Sequence, residues 1–422
     1  MLSPRLWLHR RRYPERHAQL AILLRNQALS REELLRKQRA DFAAIVAFAA
    51  ANVPYYAECL SRNPDSIPLL EKDAVRERLD DLLSRDADRR QVKLGHTGGS
   101  TGKPLAFWYD QAKHELMRAG MMRGFMMSGW QPGQKVLNFW GARQDIAAGG
   151  VFGANWSDLI AAEKTIAATE YSAAKLHAWA RCIQRYRPVL LYGYASAMSE
   201  LARFVIADRM AMPRSLIGVY STAEVLTDAQ RELMQQAFGC KVFNQYGCRE
   251  VPNIAWECRH GNMHVFADLV YLESLRDDGE DRLIVTSLTN RLMPFIRYNL
   301  GDSGRLLDGE CACGSPFPLL EMGMCRQNDW ILGRAGQRIH PGVFIHLLDG
   351  QTSIRQYQWV QRDPAHLTLN LVAAEKLGSD ALAALTDKVR HLMGGNVALE
   401  VNHVAEIPRT SSGKHRFVIG MP

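Results

Sequence analysis

Between Arg187 and Tyr246, short apolar runs alternate with helical stretches, and this rhythm narrows the fold more than any other feature of the 422 residues. Arg187-Pro-Val-Leu-Leu-Tyr192 reads as a strand, and Gly193-Tyr-Ala-Ser196 turns into a helix over 197–209. Leu216–Tyr220 is the next strand. Thr227 and Gln230 have capping-box spacing for a helix over 228–238, which Gly239 stops, and Lys241–Phe243 is a third strand. The alternation runs over 91–300 and predicts an α/β fold, a mainly parallel sheet flanked by helices. Active sites of such sheets lie at the strands' C-terminal ends. Glu224, Tyr246 and Glu250 fall there.

A second feature lies upstream. His96-Thr97-Gly98-Gly99-Ser100-Thr101-Gly102-Lys103-Pro104 has the composition of a loop that wraps a polyphosphate. Glycines let backbone N–H groups approach the anion, hydroxyls add donors, and the lysine adds a point charge. It is not the P-loop pattern G-x-x-x-x-G-K-[ST]. Thr97 replaces the first glycine, and Pro104 stands where Ser or Thr is required. The strand-forming run Leu105–Tyr109 follows, so the loop is expected between two strands.

Four more motifs follow in order: Tyr220-Ser-Thr-Ala-Glu224, Asn244-Gln-Tyr-Gly-Cys-Arg-Glu250, Arg297-Tyr-Asn-Leu-Gly-Asp302 and Ile407-Pro-Arg-Thr-Ser-Ser-Gly-Lys414. Order and content resemble the adenylate-forming superfamily of acyl-CoA synthetases, peptide-synthetase adenylation domains and luciferases, most closely its phenylacetate–CoA ligase branch. The resemblance runs from Asn52-Val-Pro-Tyr-Tyr56 to Lys414. It implies that Thr97 to Lys103 (Gly98, Gly99, Ser100, Thr101 and Gly102 between them) hold the β- and γ-phosphates of ATP. It implies Glu250 as a Mg²⁺ ligand, since a cation bridging phosphates takes carboxylate oxygens. Ala223, Glu224, Asn244, Gln245, Tyr246 and Gly247 are implied to line the adenine. Asp302 is implied to take the ribose hydroxyls, Arg326 the ribose or phosphate, and Lys414 the α-phosphate and acyl oxygens.

Plainer readings stand beside these. Glu224 could satisfy a helix N-terminus, Asp302 could be a turn aspartate, and Lys414 could be a solvated lysine. The chain also departs from the family pattern: His96 and Gly98 replace small hydroxyl residues, Arg249 stands where Thr or Ser usually precedes the Glu, and Cys325-Arg326 replaces Gly-Arg. Neither of the first two departures removes a charge that the chemistry needs.

Cys258 and His264 flank a turn containing Gly261, and Cys311-Ala-Cys313-Gly314 is a knuckle that can offer two thiolates to one ion. Together they supply a Cys₃His set of structural zinc type, with His260 as the competing histidine. The alternative is four scattered residues with free thiols.

The length suits two or three domains. A large adenylation domain is expected over 1–325, with a helical stretch from about Glu15 to Ala51. A small α+β lid domain is expected over 330–422, with strands at 355–360, 366–372 and 397–404, a helix at 379–393, and a hinge near Asp329. No apolar run reaches the roughly 18 residues of a membrane span. The basic start, MLSPRLWLHRRRYPERH, lacks an h-region, so a cytoplasmic protein is expected. A net charge of +8 with one tight basic run, Arg10–Arg12, gives little support to nucleic-acid binding. The leading reading is ATP-dependent activation of a carboxylic acid, aryl or arylacetic, with transfer to CoA. An amine or carrier-protein thiol as acceptor is a second reading, and a non-catalytic zinc-stapled binding protein a third. A homodimer is compatible with each.

Overall fold

The computed structural model describes residues 4–62, 67–97, 105–140, 162–168, 172–277, 280–326, 331–334, 336, 338–339, 343–344, 347–348, 351, 353–395, 397–408 and 415–421. Two compact units emerge. One takes the described residues up to Leu300 together with Gly304–Glu321, and the other takes Gly301–Ser303 and the described residues from Met322.

In the first unit, the single helical stretch expected over 15–51 is two helices, Pro14–Gln27 and Arg31–Asn52, preceded by a basic helix at Pro4–Arg12. The break is local chemistry. Ser30 is an N-cap whose hydroxyl accepts from Glu33 N, while the Glu33 carboxylate accepts from Ser30 N. That capping box was present in the sequence as Ser-x-x-Glu and restarts the helix there. No single described helix is long and apolar enough to cross a membrane. The pair Arg31–Asn52 and Pro54–Arg62 passes by length and composition only when joined across a 99° bend.

The strands, in chain order, are β1 (Lys93–His96), β2 (Ala106–Tyr109), β3 (Val136–Trp140), β4 (Glu163–Ala167), β5 (Leu190–Tyr194), β6 (Gly218–Thr222), β7 (Lys241–Tyr246), β8 (Ala255–Glu257), β9 (Met263–Val265), β10 (Val270–Asp277), β11 (Glu280–Ser287), β12 (Tyr298–Leu307) and β13 (Leu319–Arg326). β1 and β2 form an antiparallel pair, and the rest run in the order β10-β11-β12-β13-β9-β8-β7-β6-β5-β3-β4. The segment β4-β3-β5-β6-β7 is parallel. The pairs β7–β8, β8–β9, β9–β13 and β10–β11 are antiparallel. The mainly parallel expectation therefore holds for one half of the sheet. The other half includes direct hairpins, such as β8 to β9 across the Gly261 turn and β10 to β11 across two residues, which leave no room for a crossover helix.

Helices Ala173–Tyr186, Ala195–Ala207 and Asp228–Phe238 connect the parallel strands. The first buries Leu176, Trp179, Ala180 and Ile183, a 3.6-residue stripe, in a cluster with Leu137, Phe139, Leu191, Val219 and Val242 of the sheet. The capping box at Thr227 and Gln230 forms, and Gly239 closes that helix at φ +64°. On the opposite face, helix Gln111–Met126 lies so close that a Cβ at Gly124 would stand 2.2 Å from the Trp256 ring.

In the second unit, β14 (Ile331–Leu332) pairs β15 (Arg338–Ile339). β16 (Ile354–Asp363), β17 (His366–Ala373), β18 (Ala398–His403) and β19 (Val418–Ile419) form a sheet in the order β18-β17-β16-β19. Helix Ser379–Met393 buries Leu385, Val389 and Met393 in a core with Trp359, Leu367, Leu369 and Leu371. The alternation of buried positions along β17 is why that sheet has one dry face.

Candidate active site

The parallel strands carry the site because of their order. Winding outward from β3 goes one way to β4 and the other way to β5, β6 and β7, so the direction reverses between β3 and β5. Ligands of open α/β sheets bind at such a reversal, beyond the strands' C-terminal ends. There the ends of β3 and β5 present aromatic rings. Trp140 stacks on Tyr192 at 5.8 Å and 25°, and meets Tyr194 at 5.0 Å. Burial pushes the Tyr192 phenol up to about 12, so it stays a neutral donor. Its hydroxyl and that of Thr222 both donate to Gln245 Oε1, the former at 3.3 Å.

β6 ends at Thr222, and Ala223 after it is held in the left-handed region at φ +67°. Glu224 follows, and its carboxylate accepts from Ser196 N at 2.8 Å and Ser196 Oγ at 2.9 Å. Ser196 opens helix Ala195–Ala207, whose N-cap, Tyr194, makes no side-chain cap bond. Glu224 therefore satisfies a helix N-terminus, though that of the neighbouring connection.

β7 delivers Asn244, Gln245 and Tyr246. Asn244 N donates to the buried Glu257 carboxylate at 2.7 Å. A Cβ at Gly247 would lie 2.9 Å from Asn253 N, which explains a glycine where the chain turns. The turn is tightened by Cys248, whose sulfur accepts from Val251 N at 3.3 Å. At its tip Glu250 is only 5% exposed, and its Oε1 accepts from the buried Tyr298 hydroxyl at 3.0 Å.

The glycine-rich loop is pinched at its base. Thr97 N donates to Leu105 O and Leu105 N donates to Thr97 Oγ1, both at 2.8 Å. Arg249 Nη1 donates to His96 O at 3.0 Å, which ties the Glu250 turn to the same base. Thr97, Arg249 and Glu250 are thus brought together from stretches about 150 residues apart. Gly98, Gly99, Ser100, Thr101, Gly102 and Lys103 lie outside the described residues, as do Asp329 and Lys414. Asp302 is half-buried on β12 and falls in the second unit, and Arg326 ends β13.

Two contributors were not singled out from the sequence. Tyr298 lies inside a quoted motif, but nothing in its spacing reveals that it reaches Glu250. Lys113, on the first turn of helix Gln111–Met126, donates from Nζ to Glu250 O at 2.9 Å and faces the Phe107 ring at 4.9 Å. Burial lowers its pKa to about 8, against the pull of Glu250. A lone lysine on a helix gives no sequence signal for this.

Away from the sheet ends, Cys258, His264, Cys311 and Cys313 place their ligand atoms within 4.8 Å of one another. Cys258 and Cys311 sulfurs are 3.7 Å apart, and Cys313 Sγ is 3.4 Å from His264 Nε2. A tetrahedral zinc, about 2.3 Å from sulfur and 2.0 Å from nitrogen, needs edges of about 3.8 and 3.5 Å. The donor set fits that ion. Burial lowers the His264 pKa and favours the neutral imidazole a metal requires. Asn262 Nδ2 donates to Cys311 Sγ at 3.3 Å. His260 is not in the group; its backbone N–H donates to Cys258 Sγ at 3.4 Å.

Over most of its length the chain is similar to two curated proteins. It is 24% identical to phenylacetate-coenzyme A ligase of Thermus thermophilus, covering 94% of this chain and 98% of that one. It is 23% identical to protein CapK of Staphylococcus aureus, covering 92% and 89%. These relatives are consistent with the adenylate-forming superfamily and its phenylacetate–CoA ligase branch. A family model described as the CapK C-terminal domain matches residues 331–420. The fold agrees with that of 2-hydroxyisobutyryl-CoA ligase, solved in the postadenylation state, at a TM-score of 0.71, 18% identity and coverage of 94% and 91%.

Proposed function

We propose that this protein is an AMP-forming acid–thiol ligase that activates a carboxylic acid with ATP and passes the acyl group to CoA. The observation that carries the reading is the tie from Arg249 to His96 O, which sets the buried Glu250 beside the base of the glycine-rich loop. An acidic turn locked to a phosphate-type loop suits a nucleotide with its cation. In the first half-reaction a carboxylate oxygen of the acid attacks the α-phosphorus, and pyrophosphate leaves with the electron pair of the broken P–O bond. In the second, the CoA sulfur attacks the acyl carbonyl, loses its proton and displaces AMP.

The catalysis asked of the chain is positioning and charge neutralisation. Thr97 and the residues through Lys103 are assigned the departing phosphates, and Lys414 the charge gathering at the α-phosphorus. Glu250 would hold Mg²⁺, which supplies charge neutralisation on the phosphate oxygens. Tyr246 and Ala223 are assigned the adenine, Asp302 and Arg326 the ribose. The Trp140 and Tyr192 rings favour a planar aryl or arylacetic acid. Asp329 is assigned the hinge, and the Cys₃His group a structural Zn²⁺.

The test is pyrophosphate release across a panel of carboxylic acids, with and without CoA. Release with an aryl acid and formation of its CoA thioester are expected. Release without a thioester would move the acceptor to an amine or a carrier-protein thiol. No release with any acid, from protein that is folded, would overturn the ligase reading in favour of a binding protein.

A further inference from the structure

Three contacts hold the turn that carries Glu250, and two of them are made by residues of the quoted motifs: Tyr298 to the carboxylate, and Arg249 to His96 O. The third is not. Lys113 Nζ donates to the Glu250 backbone oxygen at 2.9 Å from a pocket between the rings of Phe107, at 4.9 Å, and Phe295, at 5.8 Å. Phe107 is on β2, the strand that leaves the glycine-rich loop, and Phe295 lies three residues before Tyr298. Lys113 itself is set by its helix: Asp110 Oδ1 accepts from Lys113 N at 2.7 Å and caps the first turn. One ammonium therefore touches the strand after the loop, the acidic turn and the segment leading to Tyr298.

Holding a half-buried lysine against one carbonyl and two ring faces, with the Glu250 and Asp110 charges nearby, still costs desolvation, and an apolar residue of similar length would fill the space without it. What the lysine adds is direction. An ammonium–carbonyl bond is charge-assisted and fixes the turn, whereas ring packing alone would let it slide. We propose that Lys113 is a positioning residue for adenylation, holding the Glu250 turn so that the carboxylate meets the cation on the nucleotide phosphates. Lys113 reaches the carboxylate only through the Glu250 backbone. It is thus a partner of the metal-binding group and not a ligand. Loss of such partners typically lowers metal affinity or activity about 10–100-fold. The inference rests on the ligase reading.

The experiment compares the wild type with Lys113→Met, which keeps length and ring packing, and Lys113→Arg, which keeps a charged donor. ATP binding is measured by calorimetry with and without Mg²⁺, beside pyrophosphate release over a Mg²⁺ titration. Lys113→Met should bind ATP without Mg²⁺ as the wild type does and lose most of the gain that Mg²⁺ brings. Its half-saturating Mg²⁺ concentration should rise roughly 10-fold or more, with the KM for the acid within about two-fold. Lys113→Arg should recover part of the gain. A wild-type response to Mg²⁺ in Lys113→Met overturns the inference and leaves the ligase reading standing. A uniform loss of ATP binding with and without Mg²⁺ in Lys113→Met also overturns it, since that marks a merely structural role. Should Lys113→Met fail to fold, Lys113→Arg decides: a reduced Mg²⁺ gain with ATP binding unchanged in the absence of Mg²⁺ supports the inference, and a wild-type Mg²⁺ response or a loss of ATP binding irrespective of Mg²⁺ overturns it. A wild type that neither binds ATP nor releases pyrophosphate sinks the ligase reading first and this inference with it.

Discussion

Tyr298 illustrates how single side chains decide the site. It is almost fully buried, and its hydroxyl reaches Glu250 at 3.0 Å. Arg297, at φ +49°, sets the bend before it, with its N–H on Thr286 Oγ1 and its guanidinium on Ile67 O. Tyr298→Phe removes a hydrogen bond to a carboxylate, worth about 1.5–3 kcal/mol, so kcat/KM for adenylation should fall roughly 10–100-fold. Unchanged kinetics would show that Glu250 is held elsewhere. Lys414→Ala should slow adenylate formation about 10²–10³-fold and spare transfer from a pre-formed acyl-adenylate; wild-type adenylation would remove Lys414 from the chemistry. Away from the site, His9 Nδ1 and His17 Nε2 are 2.7 Å apart, a bond in which one ring must stay neutral to accept, so it is lost when both are protonated. Burial lowers both pKa values to about 4; Arg16 opposes protonation of each, Arg118 that of His9 and Arg10 that of His17, while Glu163 favours it at His9. The unfolded chain takes up these protons near pH 6.5, the folded chain only near 4. Stability should therefore be full above about pH 6.5 and decline as pH falls toward 4. Urea midpoints from pH 7 to 4.5 should fall less steeply in His17→Asn than in the wild type; parallel curves would refute the pairing.

At the scale of elements, the Cys₃His knuckle and the helix–sheet contact carry the clearest consequences. Two turns, one at Gly261 with φ +82° and one at Gly314 with φ +74°, bring the four ligand atoms together. Freshly purified protein should contain about one equivalent of zinc, and Cys311→Ser should lose it and melt at lower temperature. Metal analysis without zinc would dismiss the assignment. Gly124 tests the other contact. Its missing Cβ admits the Trp256 ring, which itself meets Phe125 and Tyr220 edge-on at 5.4 and 5.0 Å. Gly124→Ala should cost about 1–3 kcal/mol by overpacking, read as a lower urea midpoint; an unchanged midpoint would mean that the helix moves freely.

For the whole molecule, the question is how two half-reactions share one chain. The second unit takes in Gly301–Ser303, so the residue assigned to the ribose does not belong to the first unit. If Asp329 is the hinge, Asp329→Pro restricts φ there, and adenylation and acyl transfer should be impaired unequally. Equal losses in both half-reactions would place the hinge elsewhere.

The sequence by itself determined what local chemistry can write. The capping boxes, the glycine turns, the strand–helix rhythm of 187–246 and the five ordered motifs are each specified by neighbours within a few residues. Helix Ser379–Met393 and the strands around it in the C-terminal unit were legible for the same reason. The antiparallel half of the main sheet was not, because a short apolar run does not reveal which strand it will pair with. Tertiary structure alone gave Glu224 the task of capping a distant helix, set Tyr298 and Lys113 on Glu250, and joined Arg249 to His96 O. These are contacts between residues 28 to 153 positions apart. Their partners are chosen by how the sheet stacks its strands, and no periodicity along the chain records that choice.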